Sequence, residues 1–148
     1  MVSTASRDWS WEELHVGQTC EVEHVLSRNH YEHFLGISGD VSPIHADVEA
    51  AKRYGFPGIV THGGMLAGYV SHMVGMHLPG KRAMSLSTEL RYLKPCYLED
   101  RVVLVAEISQ KVEANRVIVL ALRFFRLPER ELVATGRAMA TILREPGA

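Results

Sequence analysis

The segment GDVSPIH, residues 39–45, sets an aspartate, Asp40, and a histidine, His45, five positions apart. Pro43 fixes its own φ angle and Gly39 permits backbone conformations closed to other residues, so we predict a constrained loop. An aspartate and a histidine held close together bind one water between them, one accepting its proton while the other orients it. The same pattern is also typical of an aspartate that caps a turn beside a packed or surface histidine.

A second segment, IVTHGGM over residues 59–65, joins an apolar run to a glycine pair that opens a long helical pattern. Free backbone N–H groups at a helix N-terminus form a ready site for an oxyanion. Glycine lets a ligand carbonyl approach that backbone closely, so Gly63 and Gly64 are candidates for this role. The alternative is that the glycines only permit tight packing and that His62 is a packed residue at the helix start.

The longest element near these residues is a helix predicted over 63–77. Apolar residues recur from Met65 at i, i+1, i+4, i+5, i+8 and i+9, which is a helical period. A second stripe contains only small residues, and each of its glycines costs roughly 1 kcal/mol relative to alanine. We therefore expect a neighbour to approach that face closely. The stripe consists of Gly64, Gly68, Ser71 and Gly75.

Two shorter helices are predicted before it, over 30–38 and over 47–54, the second capped by Asp47. After the long helix the apolar pattern changes to the alternation typical of β-strands. Strands segregated from helices indicate an α+β fold, an antiparallel sheet with a helix on one face. The predicted strands cover residues 20–26, 85–93, 101–108, 116–125 and 131–143.

Length and composition narrow the function classes. The 148 residues suit one domain, with residues 1–8 and 144–148 expected to be flexible tails. Lys and Arg total 16 against 17 Asp and Glu, and without a basic excess we expect no nucleic-acid partner. Cys20 and Cys96 form no CxxC motif, which excludes a zinc ribbon. With no apolar run that spans a bilayer and no signal peptide pattern, we expect a soluble, cytoplasmic protein.

Residues 34–45, FLGISGDVSPIH, resemble the hydratase signature of the MaoC-like family, which includes the (R)-specific enoyl-CoA hydratases. That signature passes through aromatic, apolar and small residues to Gly-Asp-x-Asn-Pro, an aliphatic residue and a histidine. Residues 56–65, with their His-Gly pair, resemble the strand-to-helix junction of the same family. The resemblance extends over about residues 12–143 and includes similar turns at 78–80 and 93–95.

The resemblance implies a hot-dog fold, in which a curved antiparallel sheet of about five strands wraps a long central helix. On this fold the sheet would come close to the small stripe of the helix. The resemblance also implies reversible hydration of a trans-2-enoyl thioester to the (R)-3-hydroxyacyl thioester. The substrate would be an acyl-CoA or an acyl-ACP (acyl carrier protein) thioester, no metal or redox cofactor would be used, and homodimers or larger homo-oligomers are expected.

Carried over to this chain, the resemblance assigns Asp40 and His45 as the catalytic pair that holds the water and moves its protons. Gly63 or Gly64 would donate an N–H to the thioester carbonyl, and Ser42 would support the loop together with Pro43. Ser42 stands where the family usually has asparagine. The second glycine, Gly64, stands where many members have methionine.

Lys81 and Arg82 follow the predicted long helix. A cation pair at the mouth of a site would suit the phosphates of coenzyme A, and a solvated turn is the alternative.

Two other functions stay open on a hot-dog fold. A thioesterase commonly carries an acidic residue on or near the central helix, and residues 63–80 contain none. A non-catalytic acyl-thioester binding subunit is the other alternative, and it stays open because Ser42 departs from the family pattern.

Overall fold

The computed structural model describes residues 5–147, which form one five-stranded sheet and four α-helices. None of these helices is long and apolar enough to cross a membrane. The loop predicted over 39–45 contains a one-turn helix, and the strand predicted to end at 108 continues to Val112. The elements are β1 (Thr19–Val25), α1 (Arg28–Ser38), α2 (Pro43–Ala46), α3 (Val48–Arg53), α4 (Gly64–Met76), β2 (Ala83–Tyr92), β3 (Arg101–Val112), β4 (Val117–Arg126) and β5 (Glu131–Ile142).

The strands lie in the order β1-β3-β4-β5-β2, and all neighbouring pairs are antiparallel. Alternate residues of β3 and β4 therefore share one face of the sheet, and α4 packs its apolar side there. This confirms the predicted α+β arrangement of a helix on an antiparallel sheet. The core residues include Leu104, Ala106, Ile108, Ile118, Leu120, Leu122 and Phe124 from the sheet, and Met65, Leu66, Tyr69, Val70, Met73 and Val74 from α4.

The small stripe of α4 does not face the sheet, and the expectation that the sheet approaches it is wrong. A Cβ at Gly64 would lie 2.3 Å from the Phe34 ring of α1. A Cβ at Gly68 or Gly75 would meet no atom of the described residues within 4 Å. The large apolar residues of α4 face the sheet instead, because they remove far more apolar surface from water than glycine does.

Residues 5–8 also differ from the flexible tail expected over 1–8. The Arg7 N–H donates to the Met76 carbonyl at 2.9 Å, and Asp8 pairs with Lys81 and Arg82, each at 2.8 Å. These contacts fasten the segment to the C-terminal end of α4. The tail expectations for 1–4 and 148 lie outside the described residues.

Candidate active site

Asp40 follows directly on the end of α1. Gly39 ends the helix in the left-handed conformation, with φ 64° and ψ 9°, which glycine adopts without steric cost, and its N–H donates to the Leu35 carbonyl at 2.9 Å. The Asp40 carboxylate, whose side chain is 47% exposed, accepts hydrogen bonds from the Ser42 hydroxyl and from the Ser42 N–H, the latter at 3.1 Å. These bonds hold the pKa of Asp40 below its usual range, so the carboxylate is ionised at neutral pH.

His45 lies in α2, which Pro43 begins as the first helical residue. Its Nδ1 lies 2.6 Å from the Val60 carbonyl. A carbonyl only accepts, so Nδ1 carries the proton and Nε2 keeps a lone pair in the neutral ring. The Tyr31 hydroxyl donates to the His45 backbone carbonyl at 2.6 Å, which ties α2 to α1. His45 therefore presents one oriented acceptor nitrogen.

The structure brings Asp40 and His45 together as the sequence predicts. Oδ2 of Asp40 and Nε2 of His45 are 3.8 Å apart. This separation exceeds a direct hydrogen bond, which spans about 2.7–3.2 Å. It suits a single water molecule that donates one proton to each group.

His62 is a third member of the site that sequence reasoning missed. The ring is only 3% exposed and stacks on His45 with 4.1 Å between the ring centroids. Its Nε2 donates to the Asp40 backbone carbonyl at 2.8 Å, across 22 residues of sequence. The position of His62 directly before Gly63 was the available signal, and it was interpreted only as packing.

A cleft of about 350 Å³ opens beside His45. One wall comes from the chain that leads into α4, and the other from the chain that follows β2. The Thr61 N–H and hydroxyl both donate to the Cys96 carbonyl, at 2.8 Å and 3.0 Å, which joins the two walls. The lining residues are His45, Val60, Thr61, His62, Gly63, Leu66, Tyr92, Leu93, Lys94, Pro95 and Cys96.

Cys96 and Lys94 are two further titratable residues of this cleft. The Cys96 thiol is free and buried, and burial raises its pKa to about 11. The Lys94 ammonium pairs with the Glu131 carboxylate. Lys94 is thus a cation that the structure places at the cleft.

The two candidate oxyanion donors differ in their surroundings. Within the described residues, neither Gly63 nor Gly64 donates its N–H to a protein acceptor, as expected for the start of a helix. Gly63 lines the cleft, whereas the Phe34 ring covers Gly64. A Cβ at Gly63 would lie 2.6 Å from the Tyr92 ring, so a larger residue would require that half-exposed ring to move. Gly63 is therefore the better placed donor.

Lys81 and Arg82 are not brought to this cleft. Both pair with Asp8 beyond the C-terminal end of α4, a helix of 13 residues and about 20 Å. In a single chain they do not join Asp40 and His45, contrary to the interpretation that they belong to the mouth of the site.

The residues of the site are close enough together to hold a metal ion, but they offer too few free ligand atoms. Single donor atoms of Asp40, His45 and His62 lie within 4.8 Å of one another. The His62 Nε2 atom is already used as a donor to the Asp40 carbonyl, which leaves two free ligand atoms where zinc sites use three or four from the protein. That the chain uses no metal stays a prediction.

Comparisons with known proteins identify the family of this chain. A family model described as "MaoC like domain" matches residues 14–123. An (R)-specific enoyl-CoA hydratase of Aeromonas caviae is 28% identical over 133 residues, which cover 90% of this chain and 98% of that protein. A mitochondrial 3-hydroxyacyl-[acyl-carrier-protein] dehydratase of Arabidopsis thaliana is 28% identical over 131 residues, which cover 87% of this chain and 78% of that protein.

A comparison with solved structures identifies the fold. The unliganded R-hydratase PhaJ1 of Pseudomonas aeruginosa matches with a TM-score of 0.84 at 27% identity, covering 91% of this chain and 86% of that one. This likeness confirms the predicted hot-dog fold. Because the family match spans well over half of the residues and includes the Asp40 and His45 segment, the chain belongs to the MaoC-like family of hydratases and dehydratases.

Proposed function

We propose that this chain is a hydro-lyase that reversibly hydrates trans-2-enoyl thioesters to (R)-3-hydroxyacyl thioesters. The proposal is carried by one observation, two oriented acceptors on Asp40 and His45 that lie 3.8 Å apart beside a cleft. Relatives named as a hydratase and as a dehydratase support the reversible reaction, and the (R) configuration comes from the first of these names.

In the proposed mechanism, a water donates hydrogen bonds to Oδ2 of Asp40 and Nε2 of His45 and directs its oxygen at C3 of the substrate. As the C3–O bond forms, one of the two groups takes a proton from the water. The electron pair of the double bond moves toward the thioester carbonyl, which gains enolate charge. The proton then passes to C2, so the elements of water are added and nothing is oxidised or reduced.

The start of α4 is the proposed site for the enolate charge. The Gly63 N–H lacks a protein partner among the described residues and lines the cleft. Together with the positive end of the helix dipole, it would stabilise a negative oxygen. Loss of one oxyanion donor costs about 10²–10³-fold in kcat where it has been measured.

The carrier of the acyl group is coenzyme A or an acyl carrier protein, as in the names of the two relatives. Lys94 is the lysine that lines the cleft, and we propose it as the contact for a phosphate of the carrier. No separate cofactor is proposed, and a cytoplasmic location stays a prediction.

We also propose that the chain forms a homodimer. Strand β2 is an edge of the sheet, and its Met84 and Leu86 are half exposed. The small face of α4 around Gly68 is open in the single chain. A second copy would cover both surfaces, so light scattering should give at least twice the mass of the chain, and a monomer mass would contradict the dimer.

The function is tested by loss of the enoyl absorbance when the purified protein meets crotonyl-CoA, beside an Asp40→Asn variant. We expect turnover by the wild type and a loss of about 10³-fold in the variant, with the same thermal midpoint. No turnover with short or long enoyl-CoA substrates would overturn the proposal. Thioester hydrolysis and acyl-CoA binding would then separate a thioesterase from a non-catalytic binding subunit.

A further inference from the structure

His62 is a buried polar residue that the proposed mechanism does not use. Thr61 and His62 are the buried polar residues within the described part of the chain. The hydroxyl of Thr61 is explained by its bond to the Cys96 carbonyl. Burying an imidazole costs free energy unless its polar atoms are bonded, so the position of His62 needs its own explanation.

The Nε2 atom of His62 makes one hydrogen bond and lies 4.0 Å from Oδ2 of Asp40, beyond hydrogen-bond distance. It donates to the Asp40 backbone carbonyl at 2.8 Å, which assigns the ring proton to Nε2. The other nitrogen, Nδ1, is buried and has no partner among the described residues. A second proton there would be a buried donor without an acceptor, so the hydrogen-bond pattern fits the neutral ring.

The face of His62 supports His45. The two rings are stacked with 4.1 Å between centroids and 24° between planes. Phe34 and Tyr31 contact His62 with ring centroids at 5.1 Å and 5.7 Å, which holds its own plane. His62 thus touches the backbone of one reacting residue and the ring of the other, and it precedes Gly63 in the chain.

We propose that His62 is a positioning residue that holds the Asp40 backbone and the His45 ring at the spacing that one water bridges. Its N–H is occupied by the Asp40 carbonyl, so it takes no part in proton transfer. This inference rests on the proposed function and deepens it. A displacement of about 1 Å in such a constellation costs about 10²-fold in rate.

Two variants separate the contacts of His62. His62→Gln keeps an N–H donor at a similar reach but loses the aromatic face, whereas His62→Phe keeps the face and loses the donor. The matched control is His33→Gln on the exposed face of α1, where the ring bonds the Asn29 carbonyl of its own helix. On crotonyl-CoA we expect kcat to fall about tenfold for Gln and about 10²-fold for Phe, with KM within about threefold.

The pH profile distinguishes positioning from chemistry. Both His62 variants should keep both limbs of the wild-type kcat profile, because the groups that exchange protons are still present. Loss of one limb would make His62 a proton carrier and overturn the proposal. A folded His62→Phe variant with wild-type kcat would also overturn it, as would a loss of activity explained entirely by the unfolded fraction.

A second measurement does not depend on turnover. Long-range ¹H–¹⁵N NMR of histidine-labelled protein should show the proton on Nε2 of His62 and on Nδ1 of His45. In His62→Gln, which removes the stacked face, the His45 ring should lose this single tautomer. A wild-type His62 protonated at Nδ1 would overturn the inference. If the wild type hydrates no enoyl thioester, the proposed function fails, while the tautomers still decide whether His62 holds the two residues.

Discussion

Two groups of histidines in this chain have similar ring contacts but different surroundings for their nitrogens. The first, the Asp40 cluster, consists of Asp40, His45 and His62. Each of its two rings donates to a backbone carbonyl, at 2.6 Å and 2.8 Å. His45 is left with one free nitrogen that faces an ionised carboxylate.

The second group, the distal cluster, consists of His24 on β1 with His72 and His77 at the C-terminal half of α4. The ring centroids of His24 and His72 are 5.4 Å apart, and those of His72 and His77 are 4.9 Å apart. Within the described residues, each ring has a buried nitrogen without a partner, as His62 also has, but none of the three donates to a backbone carbonyl. The cluster lines a groove of about 510 Å³ beside Tyr69.

The difference shows that close packing of histidines does not by itself make a site for proton transfer. Glu23 also lines the distal groove, but Arg101 holds its carboxylate at 2.7 Å. Among residues 5–147, the distal rings therefore lack both a backbone acceptor that orients them and a free carboxylate. The Asp40 cluster has both the backbone acceptors and the free carboxylate. The reason is that α1 ends, and α2 begins, beside the 59–62 segment.

The largest expected effect separates the two clusters directly. His45→Gln removes the oriented acceptor and should lower kcat on crotonyl-CoA by about 10³-fold. His72→Gln removes a ring of similar burial from the distal cluster and should change kcat by less than about threefold. Steady-state kinetics with circular dichroism as a folding control checks both. Equal losses would mean that the distal cluster belongs to the active site.

The next prediction concerns the distal cluster and how the free energy of unfolding depends on pH. Burial lowers the pKa of His24 to about 4, and the neighbouring His72, His30 and His77 add like-charge repulsion. The unfolded chain, with an ordinary histidine pKa of about 6.5, binds a proton in this window that the folded chain does not. Stability should therefore fall as the pH drops from about 6.5 to about 4, by at most about 3 kcal/mol.

Urea denaturation at several pH values measures this slope. His24→Gln should flatten it relative to the wild type, because glutamine does not titrate. His33→Gln, on the exposed side of α1, should leave the slope unchanged. An unchanged slope in His24→Gln would show that other groups carry the acid sensitivity.

Two glycines near the Asp40 cluster should respond in opposite directions to alanine. Gly64→Ala drives a Cβ to 2.3 Å from the Phe34 ring, which contacts His62, and overpacking of this kind costs about 1–3 kcal/mol. Gly36→Ala in α1 meets nothing within 4 Å and should stabilise by up to about 1 kcal/mol through helix propensity. Thermal unfolding checks the signs, and equal shifts would argue against the Phe34 contact.

The smallest expected effect lies within the Asp40 cluster. Ser42→Ala removes the hydroxyl that bonds the Asp40 carboxylate, so the pKa of Asp40 should rise. The carboxylate then takes up its proton at a higher pH, and the acid limb of the kcat/KM profile should move upward toward that of an ordinary aspartate. Ser42→Asn keeps a side-chain donor and should stay near the wild type. An unmoved limb in Ser42→Ala would show that Asp40 does not set it.

Local patterns predicted the elements of this fold well. The period from Met65 to Val74 predicted α4, with Gly63 and His77 as its observed caps. Asp47 caps α3 as expected, with its carboxylate accepting from the N–H groups of Glu49 and Ala50. These features depend on residues a few positions apart, which the sequence displays directly.

Contacts between distant segments were harder to predict. The spacing of Asp40 and His45 pointed to a pair, but the bond from His62 to the Asp40 carbonyl depends on how α1 meets the start of α4. The open face at Gly68 was assigned to the sheet because a stripe pattern does not say which neighbour it meets. The pairing of Lys81 with Asp8 likewise joins segments that are far apart in the sequence.

The thiol of Cys96 can serve as a chemical probe of the cleft, because it lies in the cleft wall. Its raised pKa of about 11 keeps it protonated at pH 8, and the thiolate is the form that alkylating reagents attack. Both hydrogen bonds from Thr61 to the Cys96 carbonyl must lengthen before the wall opens. The rate at which Cys96 is alkylated, followed by peptide mass spectrometry, would therefore report how often the cleft wall opens.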